Sequence, residues 1–234
     1  MSVPVIAEQQ EWLKARLALL EKEKQLTRDR DEISRLRREL PWVAVKEDYR
    51  FETENGPEAL SGLFNGKSQL IIYHFMFGPD WQTGCGGCSF WCDHFEGLIV
   101  HLAARDIAFV VVSEAPMEKI LPFKERMGWT FPWVSSAGSR FNADYQVGFT
   151  DRADKSDPVY YNYRETSFPV DQAPGASVFA KDGKGGLYHT YSTYSRGLDI
   201  LNTAYHLMDL TPKGRDEDPE NPSSWLRHHD RYDQ

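Results

Sequence analysis

An α/β architecture, with a central mixed sheet flanked by helices and preceded by a long N-terminal helical arm, follows from three features of this chain. Two continuous apolar runs, Leu70-Ile71-Ile72-Tyr73-His74-Phe75-Met76-Phe77 and Ile107-Ala108-Phe109-Val110-Val111-Val112-Ser113, have the composition of strands covered on both faces. The residues between them, from about Ser89 to Ala104, have a helical pattern, so the three segments make a β-α-β unit. Before them, Leu13, Leu17 and Leu20, then Ile33, Leu36 and Leu40, recur at three- and four-residue intervals among charges, which predicts one helix from Glu8 to Leu40.

Pro41 ends that helix. Little besides Leu26 fills its apolar stripe between Leu20 and Ile33, so the spacing favours an arm docked on its own domain or on a second subunit over a free coiled coil. A homodimer is the default form of such a partnership. An extended stretch (43–51) and the turn Glu54-Asn55-Gly56-Pro57 lead to the first apolar strand. Beyond the second strand, a helix over 117–127 and Phe131-Pro132-Trp133-Val134-Ser135 predict a crossover and a further strand. Residues 138–173, rich in Asn, Asp and Tyr, read as an elaborated loop with an added strand at 159–163. Residues 176–180 and 186–191, joined by Lys181-Asp182-Gly183-Lys184-Gly185, read as a hairpin. A helix over 198–208 closes the domain. The expected organisation is an arm (1–41), one domain (42–210) and an extended tail (211–234) anchored by Trp225.

The 234 residues are 41% apolar and 13% aromatic, enough for a full core without a disulfide framework. A net charge of −8 argues against nucleic acid as a partner. The N-terminus lacks a basic leader pattern and no apolar run reaches about twenty residues, so neither export nor a membrane partner is expected. Three cysteines, two of them in one motif, point to thiol chemistry in a reducing, cytoplasmic setting.

That motif is Gly84-Cys85-Gly86-Gly87-Cys88, at the junction of the first strand and the following helix. Unpaired N–H groups and the positive end of the helix dipole favour a thiolate there. Cys85, ahead of the helix, is the expected attacking thiol, and Cys88, one turn on, the resolving thiol. The same spacing is half of a zinc site, but Cys92, His94 and His101 lie along the helix at offsets that do not close a tetrahedron conveniently, so no metal is expected. Cys92 reads first as a small buried hydrophobe, with a second disulfide to Cys88 as its alternative role. The approach Pro79-Asp80-Trp81-Gln82-Thr83-Gly84-Cys85 resembles the peroxidatic loop of thiol peroxidases, one residue short. Thr83 could hydrogen-bond the Cys85 thiolate, and Arg140 could supply a nearby positive charge. Pro174, just before the strand at 176–180, is a candidate cis-proline facing the dithiol. The tyrosines at 160, 161, 163, 188, 191 and 194 read as packing, and His228-His229 as a solvated pair.

Longer stretches carry a family resemblance. They include His74-Phe75-Met76-Phe77-Gly78-Pro79-Asp80-Trp81, Cys85-Gly86-Gly87-Cys88-Ser89-Phe90-Trp91, Tyr188-His189-Thr190-Tyr191-Ser192-Thr193-Tyr194 and Asp209-Leu210-Thr211-Pro212-Lys213-Gly214-Arg215-Asp216. Over nearly its whole length the chain resembles the bacterial domain-of-unknown-function 899 family, predicted dithiol-disulfide oxidoreductases of thioredoxin-like (peroxiredoxin-like) fold. The resemblance implies that fold and the Cys85/Cys88 pair.

The leading expectation is therefore thiol-disulfide exchange through Cys85 and Cys88, without an organic cofactor, with electrons drawn from another thiol system. Two alternatives stay open. Cys85 could reduce a hydroperoxide through a sulfenic acid that Cys88 resolves, or the domain could be a non-catalytic interaction module.

Overall fold

A computed structural model describes residues 5–232, which fall into two compact units divided between Pro41 and Trp42. The first is a single helix, α1 (Gln9–Glu39). None of its residues is buried, and ion pairs such as Arg16–Glu23 at 2.7 Å and Lys24–Glu21 at 2.9 Å run along it. A pair one turn apart, such as Lys24–Glu21, contributes a few tenths of a kcal/mol, about 0.2–0.5.

The second unit begins with β1 (Val43–Ala44) and the hairpin β2 (Arg50–Thr53) to β3 (Gly56–Ala59). Next come β4 (Gln69–His74), α2 (Gly86–Cys92), α3 (Ile99–Ala104), β5 (Ile107–Ser113), α4 (Met117–Arg126) and β6 (Trp133–Ser135). After α5 (Phe141–Asp144), β7 (Val159–Tyr161) and β8 (Arg164–Thr166) pair with each other outside the main sheet. The long hairpin β9 (Gly175–Lys181) to β10 (Leu187–Tyr194) follows, then a 3-10 stretch (Ser195–Leu201) and α6 (Thr203–Met208).

The main sheet has the order β1-β10-β9-β4-β5-β6-β2-β3. β4, β5 and β6 run parallel, while β9 pairs antiparallel with β4 and β10 antiparallel with β9. A β-α-β unit and a β-β-α unit thus share one sheet with β4 at its centre, which is a thioredoxin-like arrangement. Side chains alternate across β4. Tyr73, with the following Phe75, joins a core that holds Cys88, Cys92, Phe95 and Trp133, whereas Leu70 and Ile72 face Phe51, Phe64 and Phe179 on the other side.

Two helices expected as continuous are divided. The run over 89–104 breaks between α2 and α3, where Gly97 adopts a left-handed φ of +79° that a glycine takes without a Cβ penalty. The run over 198–208 breaks at Asn202, whose side chain accepts from Tyr205 N at 3.0 Å and so caps α6.

Candidate dithiol site

The helix expected from Ser89 starts at Gly86, which makes Cys85 the N-cap residue of α2. Its backbone is extended (φ −60°, ψ 128°), as a cap requires, and its sulfur accepts from the N–H of Cys88 at 3.5 Å. The backbone of Met76, just beyond β4, braces both cysteines. Its carbonyl accepts from Cys85 N at 3.0 Å, and its N–H donates to Cys88 Sγ at 3.4 Å. Ser89 Oγ donates to the Cys85 carbonyl at 2.9 Å and closes the turn.

Cys85 and Cys88 lie 3.7 Å apart and unbonded. Cys85 is partly exposed, whereas Cys88 is 3% exposed. Their electrostatics diverge accordingly. The Cys88 thiol against its sulfur, aided by the backbone N–H groups of Cys88 and Gly87, outweighs burial and holds Cys85 down to about 7. Burial, then the neighbouring Cys85, pushes Cys88 well above the usual thiol range. Burial also raises the Tyr73 phenol, which lies against the same thiols. An ionisable sulfur at the helix start beside a shielded neutral one suits sequential nucleophilic attack and resolution.

The glycines around the pair differ in purpose. A Cβ on Gly84 would sit 2.6 Å from the Phe75 ring and 2.9 Å from that of Phe123, so this position has no room for one. At Gly86 and Gly87 the nearest atoms would be 3.8 Å and 3.7 Å away, ordinary contacts.

Of the auxiliary residues expected from sequence, Cys92 is fully buried, and burial raises its thiol well above the usual range. Three others depart from expectation. Thr83 is exposed and, among the described residues, makes no hydrogen bond to Cys85; it lines a surface groove with Phe77, Trp81 and Arg126. Arg140 is not beside the sulfur but at the start of α5, paired with Asp144 at 3.6 Å and Asp151 at 3.3 Å, because the loop that carries it crosses to β2. Pro174 precedes β9 as expected, but its peptide is trans, as are all those described; its carbonyl accepts from Tyr161 Oη at 2.8 Å. His74, next to Tyr73 on β4, faces away from the dithiol. It bonds Ser177 Oγ at 2.9 Å, and burial pushes it down to about 3.

Two cations of α4 approach the dithiol loop: Lys119 Nζ donates to the Trp81 carbonyl at 3.2 Å and to that of Pro79, and the second, Arg126, has no counterpart among the residues expected from sequence. It reaches the loop through the tail. Arg126 Nη2 donates to His228 Nδ1 at 2.7 Å, and His228 Nε2 donates to the Gly84 carbonyl at 2.8 Å, so the histidine pair is not simply solvated. Among the described residues no group of three or more His, Cys, Asp or Glu side chains could hold a metal ion, and no helix is long and apolar enough to cross a membrane.

The family model described as bacterial protein of unknown function (DUF899) matches residues 1–232. The chain belongs to the DUF899 family. No curated protein matches this DUF899 chain. Among solved structures, peroxidoxin BcpB from Mycobacterium tuberculosis aligns at 16% identity and TM-score 0.46, over 70% of the DUF899 chain and 94% of its own. A cysteine-to-serine variant of Xanthomonas campestris peroxiredoxin Q aligns at 12% identity and TM-score 0.46, over 72% and 98%. A variant of Xylella fastidiosa PrxQ aligns at 11% identity and TM-score 0.44, over 71% and 95%.

Proposed function

We propose that this DUF899 protein is a dithiol-disulfide oxidoreductase. The supporting observation is the asymmetric pair at the start of α2: a partly exposed Cys85 held down to about 7, with a buried Cys88 beside it. The Cys85 thiolate attacks one sulfur of a substrate disulfide, forming a mixed disulfide and releasing the other sulfur as a thiolate, which takes up a proton. Cys88 then loses its proton, attacks Cys85 Sγ and forms the Cys85–Cys88 disulfide, and the second substrate thiol departs. Two electrons pass to the substrate, and an external thiol reductant returns them. The reaction needs no organic cofactor.

Peroxide reduction by the same sulfur is the competing reading. The groups that would favour it do not engage the sulfur: among the described residues Thr83 makes no hydrogen bond to Cys85, and Arg140 is engaged with Asp144 and Asp151. Stopped-flow oxidation of the reduced protein separates the two. Rapid thiol loss with a disulfide and slow loss with hydrogen peroxide is the expected result, abolished by Cys85→Ser, while Cys88→Ser should accumulate the mixed disulfide. Fast, saturable loss with peroxide would overturn the assignment.

A further inference from the structure

Beyond α6 the chain returns to the dithiol and crosses the loop that carries it. Trp225 packs edge-on against Phe90 of α2 with centroids 5.4 Å apart, and Leu226 is buried beside it. The Leu226 carbonyl lies 3.8 Å from where a Cβ on Gly86 would stand. Its Cδ1 lies 3.8 Å from the corresponding point on Gly87, itself 3.7 Å from Cys85 Sγ. On the other side of Cys85, His228 donates to the Gly84 carbonyl at 2.8 Å, and its ring meets Phe123 edge-on at 5.2 Å. His229 then bonds Asp93 at 2.7 Å, and Asp230 pairs with Arg126 at 3.3 Å. The tail therefore touches the residue before Cys85 and the two after it.

We propose that residues 225–230 form a strap that selects substrates by size, admitting small-molecule disulfides to Cys85 and excluding disulfides set in folded protein. The inference rests on the dithiol reading above. A disulfide in a polypeptide carries backbone on both sides and needs open surface around the attacking sulfur. The strap backbone occupies that surface along Gly86, whereas a small disulfide brings only a few atoms to Cys85. The strap is also built to lift. One buried leucine, one half-buried tryptophan, the His228 ring on Phe123, and hydrogen bonds and an ion pair at the rim hold it, and segments with so little buried apolar area open before the core does.

The test uses the full-length reduced protein and two probes, hydroxyethyl disulfide and insulin, with thiol loss followed in single turnovers. The wild type should react with hydroxyethyl disulfide, dependent on Cys85, and at least tenfold more slowly with insulin. His228→Ala, which removes both bonds of that side chain, and a separate chain ending at Pro222 should each raise the insulin rate about tenfold and change the small-disulfide rate less than twofold. The single substitution, which touches the core only at the edge of Phe123, keeps the test readable should the truncated chain fail to fold. A Cys85-dependent reaction whose insulin-to-small ratio stays the same in every variant that folds, His228→Ala included, overturns the strap alone. A reaction with hydroxyethyl disulfide that persists in Cys85→Ser overturns the dithiol reading and the strap with it.

Discussion

Cys85 and Cys88 are chemically alike and three residues apart, yet one is directed toward the thiolate and the other away from it. The largest influence on Cys85 is the Cys88 thiol itself. Thiolate absorbance near 240 nm in the reduced protein should therefore show one group titrating near pH 7 and the others only at much higher pH. Cys88→Ala, by removing that donor, should move the Cys85 midpoint upward; an unchanged midpoint would mean that backbone N–H groups alone set it. Cys92 is a packing residue on the same helix face, fully buried in the core. Cys92→Ala should cost about 1–2 kcal/mol in denaturant melts, through lost contacts and a small cavity, and leave the alkylation rate of Cys85 as it was.

The strand-to-helix junction from β4 to α2 works because one residue, Met76, ties both cysteines to the end of the central strand. Gly84 lets the chain pass between Phe75 and Phe123. Gly84→Ala should lower stability by about 1–3 kcal/mol through overpacking and slow Cys85 chemistry by shifting the loop. Gly87→Ala meets only ordinary contacts within α2 and should be neutral or gain a few tenths of a kcal/mol, up to about 1, from helix propensity. Thermal melts of the two variants, side by side, distinguish a steric requirement at 84 from a general need for glycine in the motif.

Protonation of Cys85 is linked to the stability of the whole fold. Its pKa is about 7 in the folded protein against an ordinary value of 9.0, so between those limits the unfolded chain binds more protons than the folded one. Stability of the reduced protein should therefore rise from pH 7 to 9 relative to Cys85→Ala, and the advantage should disappear as pH falls through 7. Urea melts of the two proteins across that range provide the measurement. Parallel curves would show that folding leaves the Cys85 pKa at its unfolded value.

β5 was legible to the residue, as were α1, α4 and the β9–β10 hairpin to within a few positions, because hydrophobic period and turn chemistry are local properties of the chain. The same locality made Cys85 and Cys88 readable: a cap donor and a helix dipole act within one turn. Gly97, hidden in an otherwise helical run, gave little warning of the break between α2 and α3. Thr83 is suggested by the likeness of its loop to that of thiol peroxidases and Arg140 by its charge, and neither property specifies a contact in space. Arg126, His228 and Leu226 reach the dithiol loop only because α4 and the tail pack there. The bond from His228 to Gly84 spans 144 residues, and no local pattern encodes a contact of that separation. Local chemistry made the cysteine pair recognisable, whereas long-range packing settled what surrounds it.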